Sequence, residues 1–303
     1  MQTITKTLFY LMLLGLVTAC ETIIEPELED AAPVLVVDAW LTNQEKAQEI
    51  ILTQTQPYFE NELPVGVTGA SVTVRGRQSG RLFSFVESGN GIYRWTPAAN
   101  DSLGPVGEQF DLTIQWQVDT YNASARTGRV PKLDSISYFF EEETAISVEQ
   151  WVGEFWARDP VGKGDTYWVR TWKNGVLLNK PAELTVAFDA GFSEGGNLDG
   201  VTFITPVRRG MNPIEQNEDD EFLPAYAPGD SAYVEIRSIS KEAFNFLNEV
   251  IIQTDRPGGF SELFARPIAN VSTNVVNSNP QGPRAVGFFN VSAVSGAGKR
   301  LVP

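Results

Sequence analysis

The chain has 303 residues, no histidine, one cysteine and a formal net charge of -15 at pH 7. Such acidity argues against a surface for nucleic acid or anionic lipid, and the missing histidine removes the usual general base, the Ser-His-Asp and Cys-His pairings and nearly all transition-metal sites. The length suits two ordinary domains with a real core, and carboxylate-only chemistry such as glycoside hydrolysis stays open.

The first element is a leader. Lys6 precedes an apolar run over 8–14. That run is too short for a bilayer span of roughly 20 residues and fits a secretory signal. Small residues Thr18 and Ala19 then precede Cys20. This order reads as a lipobox, with cleavage after residue 19 and a thioether from Cys20 to diacylglycerol. Residues 1–19 are therefore read as the signal peptide and Cys20 as the lipid-attachment site. With the thiol so used, none remains for a nucleophile, a redox pair or a disulfide. Residues 20–33 carry acids together with Pro26 and Pro33, show no amphipathic period, and read as an extended acidic tether.

Residues 34–130 read as an N-terminal β-sandwich domain. The runs 34–37 and 50–52 are of buried type, Val72 and Val74 share one face of 70–74, and 112–118 alternates apolar and polar. Turn signals at 78–80, 88–91 and 104–107 separate these strands. Ile92, Tyr93 and Trp95 begin another. Val130-Pro131 is the expected boundary, because proline holds the preceding residue extended.

Residues 131–303 read as a larger β-rich domain. Segment 133–138 alternates, and 166–172 is a strand by its β-branched and aromatic content. Asn174-Gly175 predicts a type I′ hairpin with a return strand from Val176. Segments 188–200 and 211–228 read as loops, the second acidic, and 232–237 as a strand. One helix is predicted over 240–254. Ser240 caps it, and Ala243, Phe244, Leu247, Val250 and Ile251 recur at helical spacing to pack on a sheet. The stretch 270–274 is irregular, and 286–291 is the expected last strand.

The best binding candidates are Trp151, Phe155, Trp156, Tyr167, Trp168 and Trp172, since flat aromatic faces stack on sugars or anchor a protein partner. The same residues also suit a sandwich core. Tyr167 and Trp168, adjacent on a strand, must face opposite sides. Asp189, Glu194, Asn197 and Asp199 offer hard oxygen ligands, but their spacing departs from the EF-hand template. The acidic run 218–221 and Glu141, Glu142 and Glu143 read as solvated loops. Gly296, Gly298 and Lys299 lack the strand-to-helix setting of a phosphate loop. Arg75, Arg77 and Arg81 form a small basic patch, too slight for nucleic acid in so acidic a chain. No catalytic, cofactor-binding or metal-binding residue is assigned.

Several spaced features coincide with a known family. They are the lipobox at Cys20, the run 34–37 leading to Trp40-Leu41-Thr42, the stretch 64–72, Gly91-Ile92-Tyr93, Val130-Pro131, Pro228-Gly229-Asp230, 239–244, 267–274 and 286–289. In this order they resemble the Bacteroidota lipoproteins grouped as domain of unknown function 4249, over nearly the whole mature chain. The resemblance implies a mainly β protein whose N-terminal part is similar to an immunoglobulin-like or transthyretin-like module. It also implies an outer-membrane lipoprotein, with the acids after Cys20 resembling a surface-export signal. The expected role is a non-enzymatic accessory or binding subunit of a TonB-dependent outer-membrane β-barrel. The alternative is a structural subunit of a larger envelope machine for outer-membrane protein assembly or export. Neither role implies a cofactor, and the ligand, if there is one, is not named by the resemblance.

Overall fold

Alternation builds the first half of the chain. In the computed structural model, which describes residues 31–57, 60, 62–144, 148–219, 221–256 and 258–302, seven strands precede residue 130. They are β1 (Leu35–Thr42), β2 (Gln48–Gln54), β3 (Ser71–Gly76), β4 (Leu82–Gly89), β5 (Ile92–Trp95), β6 (Gln109–Trp116) and β7 (Asp119–Arg126). Every second side chain turns inward, as the pleat requires: Leu35, Val37, Ala39 and Leu41 on β1, and Phe110, Leu112 and Ile114 on β6, are all buried in one core. The leader, Cys20 and the tether as far as residue 30 lie outside the described residues.

The second half adds β8 (Leu133–Glu141), β9 (Gln150–Ala157), β10 (Thr166–Lys173), β11 (Val176–Leu177), β12 (Thr185–Phe188), helix α1 (Thr205–Arg209), β13 (Ser231–Ile239), helix α2 (Lys241–Thr254), β14 (Val276–Asn277), β15 (Ala285–Ser292) and β16 (Val294–Arg300). The protein is mainly β. Among the described residues the strands form a nine-stranded sheet, in the order β14-β7-β6-β3-β4-β5-β2-β1-β15, a sheet of β11-β10-β13-β16 with β12 also on β10, and the hairpin β8–β9. The hairpin turn at 174–175 has positive φ at both Asn174 and Gly175, as a type I′ turn demands.

Segment 131–303 contributes two strands, β14 and β15, to the sheet built by 34–130. Residues Pro33–Pro303 form one compact unit. The reason is an edge. β1 would present a row of unpaired backbone groups, and β15 covers it in parallel, with Val37 opposite Gly287 and Ala39 opposite Phe289. The irregular stretch near 274 closes the roll. The Asn274 side chain accepts from the Phe289 N–H (2.9 Å), donates to the Phe289 carbonyl (2.8 Å) and reaches the Ser124 carbonyl of β7 (3.4 Å). The strand at 286–291 is not the last. β16 follows it and pairs with β13 through Gly296 and Gly298, residues that carry no strand signal in the sequence.

Helix α2 starts where the sequence places it, with the Ser240 hydroxyl accepting from the Ala243 N–H at 3.1 Å. Its buried face, Ala243, Phe244, Phe246 and Leu247, joins Trp168, Val186, Phe188 and Phe288 in a third core. The helix thus packs on the smaller sheet and on β15 together.

Candidate functional site

Strand β10 divides the predicted aromatic cluster between its two faces. Tyr167 is fully buried in the same core as Phe155 and Val169, whereas Trp168 belongs to the core under α2. Trp156 is fixed on the β8–β9 hairpin, where its indole N–H donates to Ser137 Oγ (2.7 Å) and the Arg208 guanidinium lies over its ring (4.2 Å). Trp151 meets Phe140 edge-on at 5.5 Å. The six residues therefore do not form one platform. Phe155 and Tyr167 fill the core, and Trp168 with Trp172 remain together on the other face.

That face carries a two-strand ladder. Trp168, Arg170 and Trp172 alternate on β10, opposite Arg237, Glu235 and Tyr233 on β13. The Arg170 guanidinium lies 4.8 Å from the Trp168 ring centre and 5.1 Å from that of Trp172, a cation–π geometry. Arg237 and Glu235 satisfy each other, with Nε and Nη2 donating to Glu235 Oε2 at 3.0 and 2.8 Å. Arg170 has no such partner, and its Nε is buried without an acceptor. Burial pushes Arg170 down to about 10, with Arg237 adding to the effect and Glu235 and Asp38 opposing it. The group therefore stays charged at neutral pH.

Between this ladder, β1–β2 and α2 lies a groove of about 680 Å3. Asp38 and Trp40 of β1, Ile51 of β2, Trp168 and Arg170 of β10, and Phe246 and Val250 of α2 all line it. Trp40 is held between Trp168 (5.1 Å) and Phe288 (5.7 Å). Asp38 is open to solvent yet ringed by protein. That burial pushes its carboxyl up, against the pull of Arg170. Lys46, on the loop after β1, is lowered by burial first, with Glu235 opposing and the charges of Arg237 and Arg170 adding.

A second hollow, of about 630 Å3, opens between the β8–β9 hairpin and the acidic loop. Described residues of the acidic run, which exclude residue 220, are hydrogen-bonded to their neighbours. Asn217 accepts from the N–H groups of Asp219 (3.0 Å) and Glu221 (2.9 Å), and the Leu223 N–H donates to the Glu215 carbonyl (2.9 Å). The turn so made carries Phe222 and Leu223 to the hollow, where with Phe192 and Ile214 they leave four large apolar side chains exposed. Glu141 and Glu215 line the same hollow, and Arg209 is tied to Glu141 and Glu154.

The remaining candidates are spent on structure. Asp189 accepts from the Gly164 and Asp165 N–H groups, Asp199 from that of Gly162, and Glu194 pairs with Lys241. Among the described residues no group of three or more His, Cys, Asp or Glu is placed to hold a metal ion. Arg77 pairs with Asp111 and Arg81 with Asp101. Gly296 and Gly298 leave space beside the Tyr233 ring.

The family model described as a domain of unknown function (DUF4249) matches residues 21–296. The chain belongs to the DUF4249 family. A comparison with curated proteins finds no match. In this DUF4249 protein the candidate site residues that the sequence does not single out for binding are Asp38, Trp40 and the Phe222–Leu223 pair. Asp38 and Trp40 sit on a strand singled out for its apolar run and, at Trp40, for the family resemblance, with no binding role assigned to either. The alternation of Trp168-Arg170-Trp172 with Tyr233-Glu235-Arg237 was the available signal for the ladder.

Proposed function

We propose that this protein is a lipid-anchored binding subunit of the outer membrane, non-enzymatic, held through Cys20 and docked on a β-barrel of the TonB-dependent receptor type. The lipobox and the family resemblance support the anchor and the setting. The observation that carries the docking is the hollow edged by exposed Phe192, Ile214, Phe222 and Leu223. A contiguous apolar patch with a polar rim marks an interaction surface rather than ordinary exposure, and aromatic anchors in such a patch supply most of the binding energy at interfaces. Glu215 at its edge favours a partner with basic loops.

The test is purification of the natively expressed protein in mild detergent, with mass spectrometry of what accompanies it. A single TonB-dependent barrel is the expected companion, lost from the double variant Phe222→Ser, Leu223→Ser and kept by Arg170→Gln. Recovery as a free lipoprotein would overturn the reading. Recovery within a multi-subunit assembly would replace it with the alternative, a structural subunit of an envelope machine.

A further inference from the structure

We propose that the groove between β1, β10 and α2 binds a short peptide with free termini, its carboxylate on Arg170 and its ammonium on Asp38. Two opposite charges in this groove attract each other, yet among the described residues neither is satisfied by a side-chain hydrogen bond or ion pair. The Arg170 side chain makes no hydrogen bond or ion pair among the described residues, and its Nε is buried without an acceptor. Arg170 is half-buried, and a guanidinium nitrogen held out of water without an acceptor is costly, a cost that the flanking Trp168 and Trp172 rings offset only in part. The exposed Asp38 carboxylate in the same groove also makes no hydrogen bond or ion pair among the described residues, and none joins it to Arg170. Of the other charges at this place, Glu49 is paired with Arg94 and Glu235 with Arg237, while Lys46 lies near enough to interact with Arg170 and Glu235.

The chemistry of the occupant follows from this pair of charges. A simple anion would satisfy Arg170 and meet repulsion from Asp38, and a simple cation would do the reverse. A molecule carrying both a carboxylate and an ammonium satisfies both. Ile51, Leu177, Phe246 and Val250 line the same groove, which suits it to apolar side chains. The volume of about 680 Å3 lies within the range of small-ligand sites, about 300–1,000 Å3, and is generous for a single amino acid. The groove adjoins the apolar hollow proposed for the barrel, Leu184 lining both, but Asp38 and Arg170 line only the groove and Phe222 and Leu223 only the hollow, so the capped-peptide comparison tests this reading apart from that one.

The test titrates the full-length protein in detergent micelles with trileucine, followed by tryptophan fluorescence, since Trp40 and Trp168 line the groove, and by calorimetry. Saturable binding is expected. N-acetyl-trileucine and trileucine amide should each bind about tenfold more weakly or worse, the loss of one charge-assisted contact. Asp38→Asn should erase the discrimination against the acetylated peptide, and Arg170→Gln that against the amide. The capped-peptide comparison uses the unaltered protein, so it decides the question even if Arg170→Gln fails to fold. Absence of saturable binding, equal affinity for the capped peptides, or free leucine binding as tightly as trileucine would each overturn the proposal.

Discussion

Glu154 shows how one buried carboxylate can fix an element and a pH dependence together. It sits on β9, 5 % exposed. Arg208 Nε and Nη2 donate to its Oε2 at 3.1 and 2.9 Å, and Arg209 Nε donates to its Oε1 at 2.9 Å. Both arginines are in the last turn of α1, so this one side chain pins that short helix to the hairpin. Burial acts to raise the carboxyl, but the hydrogen bonds from Arg209 and Arg208 and their charges outweigh it and hold the group below its ordinary value. A carboxyl lowered in the fold contributes stability above its unfolded pKa and loses it as pH falls through the folded one. Glu154→Gln should therefore cost about 3 kcal/mol near neutral pH, the scale for breaking a buried pair. The gap between variant and parent should close on acidification. Urea unfolding of both proteins across the carboxylate range checks it, and a gap that ignores pH would show that packing, not charge, holds α1. Asp159 runs the other way. It is buried, accepts from the Tyr167 hydroxyl (2.6 Å) and the Gly200 N–H (3.0 Å), and burial raises it, so its ionisation works against the fold as pH rises.

Among the elements, β15 depends most on a single residue. Gly287 has φ of +90°, and a Cβ there would collide with the Val37 carbonyl across the parallel pair. Both the left-handed backbone and the close approach demand glycine. Gly287→Ala should lower stability by about 3 kcal/mol or more. Gly80→Ala, also at positive φ but in open space, should cost about 1 kcal/mol. Thermal unfolding of the two variants side by side checks the ranking, and equal losses would mean that backbone strain alone matters at 287. This strand also marks where sequence reading reaches its limit. The run 286–291 was legible as a strand because its apolar content is local. Its parallel pairing with β1 was not, because nothing near it encodes a partner on the far side of the chain. Helix α2 was legible almost to the residue, since the Ser240 cap and the helical period are both local signals. β7 and β16 were passed over because small Ala123 and Ala125 fill the interior on one, and glycines make up much of the other.

At the scale of the whole molecule, the candidate site was half legible. The aromatic strand 166–172 was singled out, and the opposed facing of Tyr167 and Trp168 followed from the pleat alone. The groove needs Asp38 from β1 and Phe246 from α2 as well, and only the fold brings those together. Attachment is the reverse case, argued wholly from sequence. No described helix is long and apolar enough to cross a membrane, and the proposed anchor is Cys20. A diacylglyceryl thioether supplies two chains, where a single acyl chain gives only marginal, reversible binding. Cys20→Ser should therefore move the protein from the membrane fraction to the soluble one. The unfolding midpoint of the body, which buries its own cores over Pro33–Pro303, should stay unchanged. Fractionation, with mass spectrometry of the N-terminal peptide of the parent, reads both. A parent peptide beginning at unmodified Cys20, or a variant that stays with the membrane, would remove the lipid from the account. The apolar hollow would then have to hold the protein at its barrel without help.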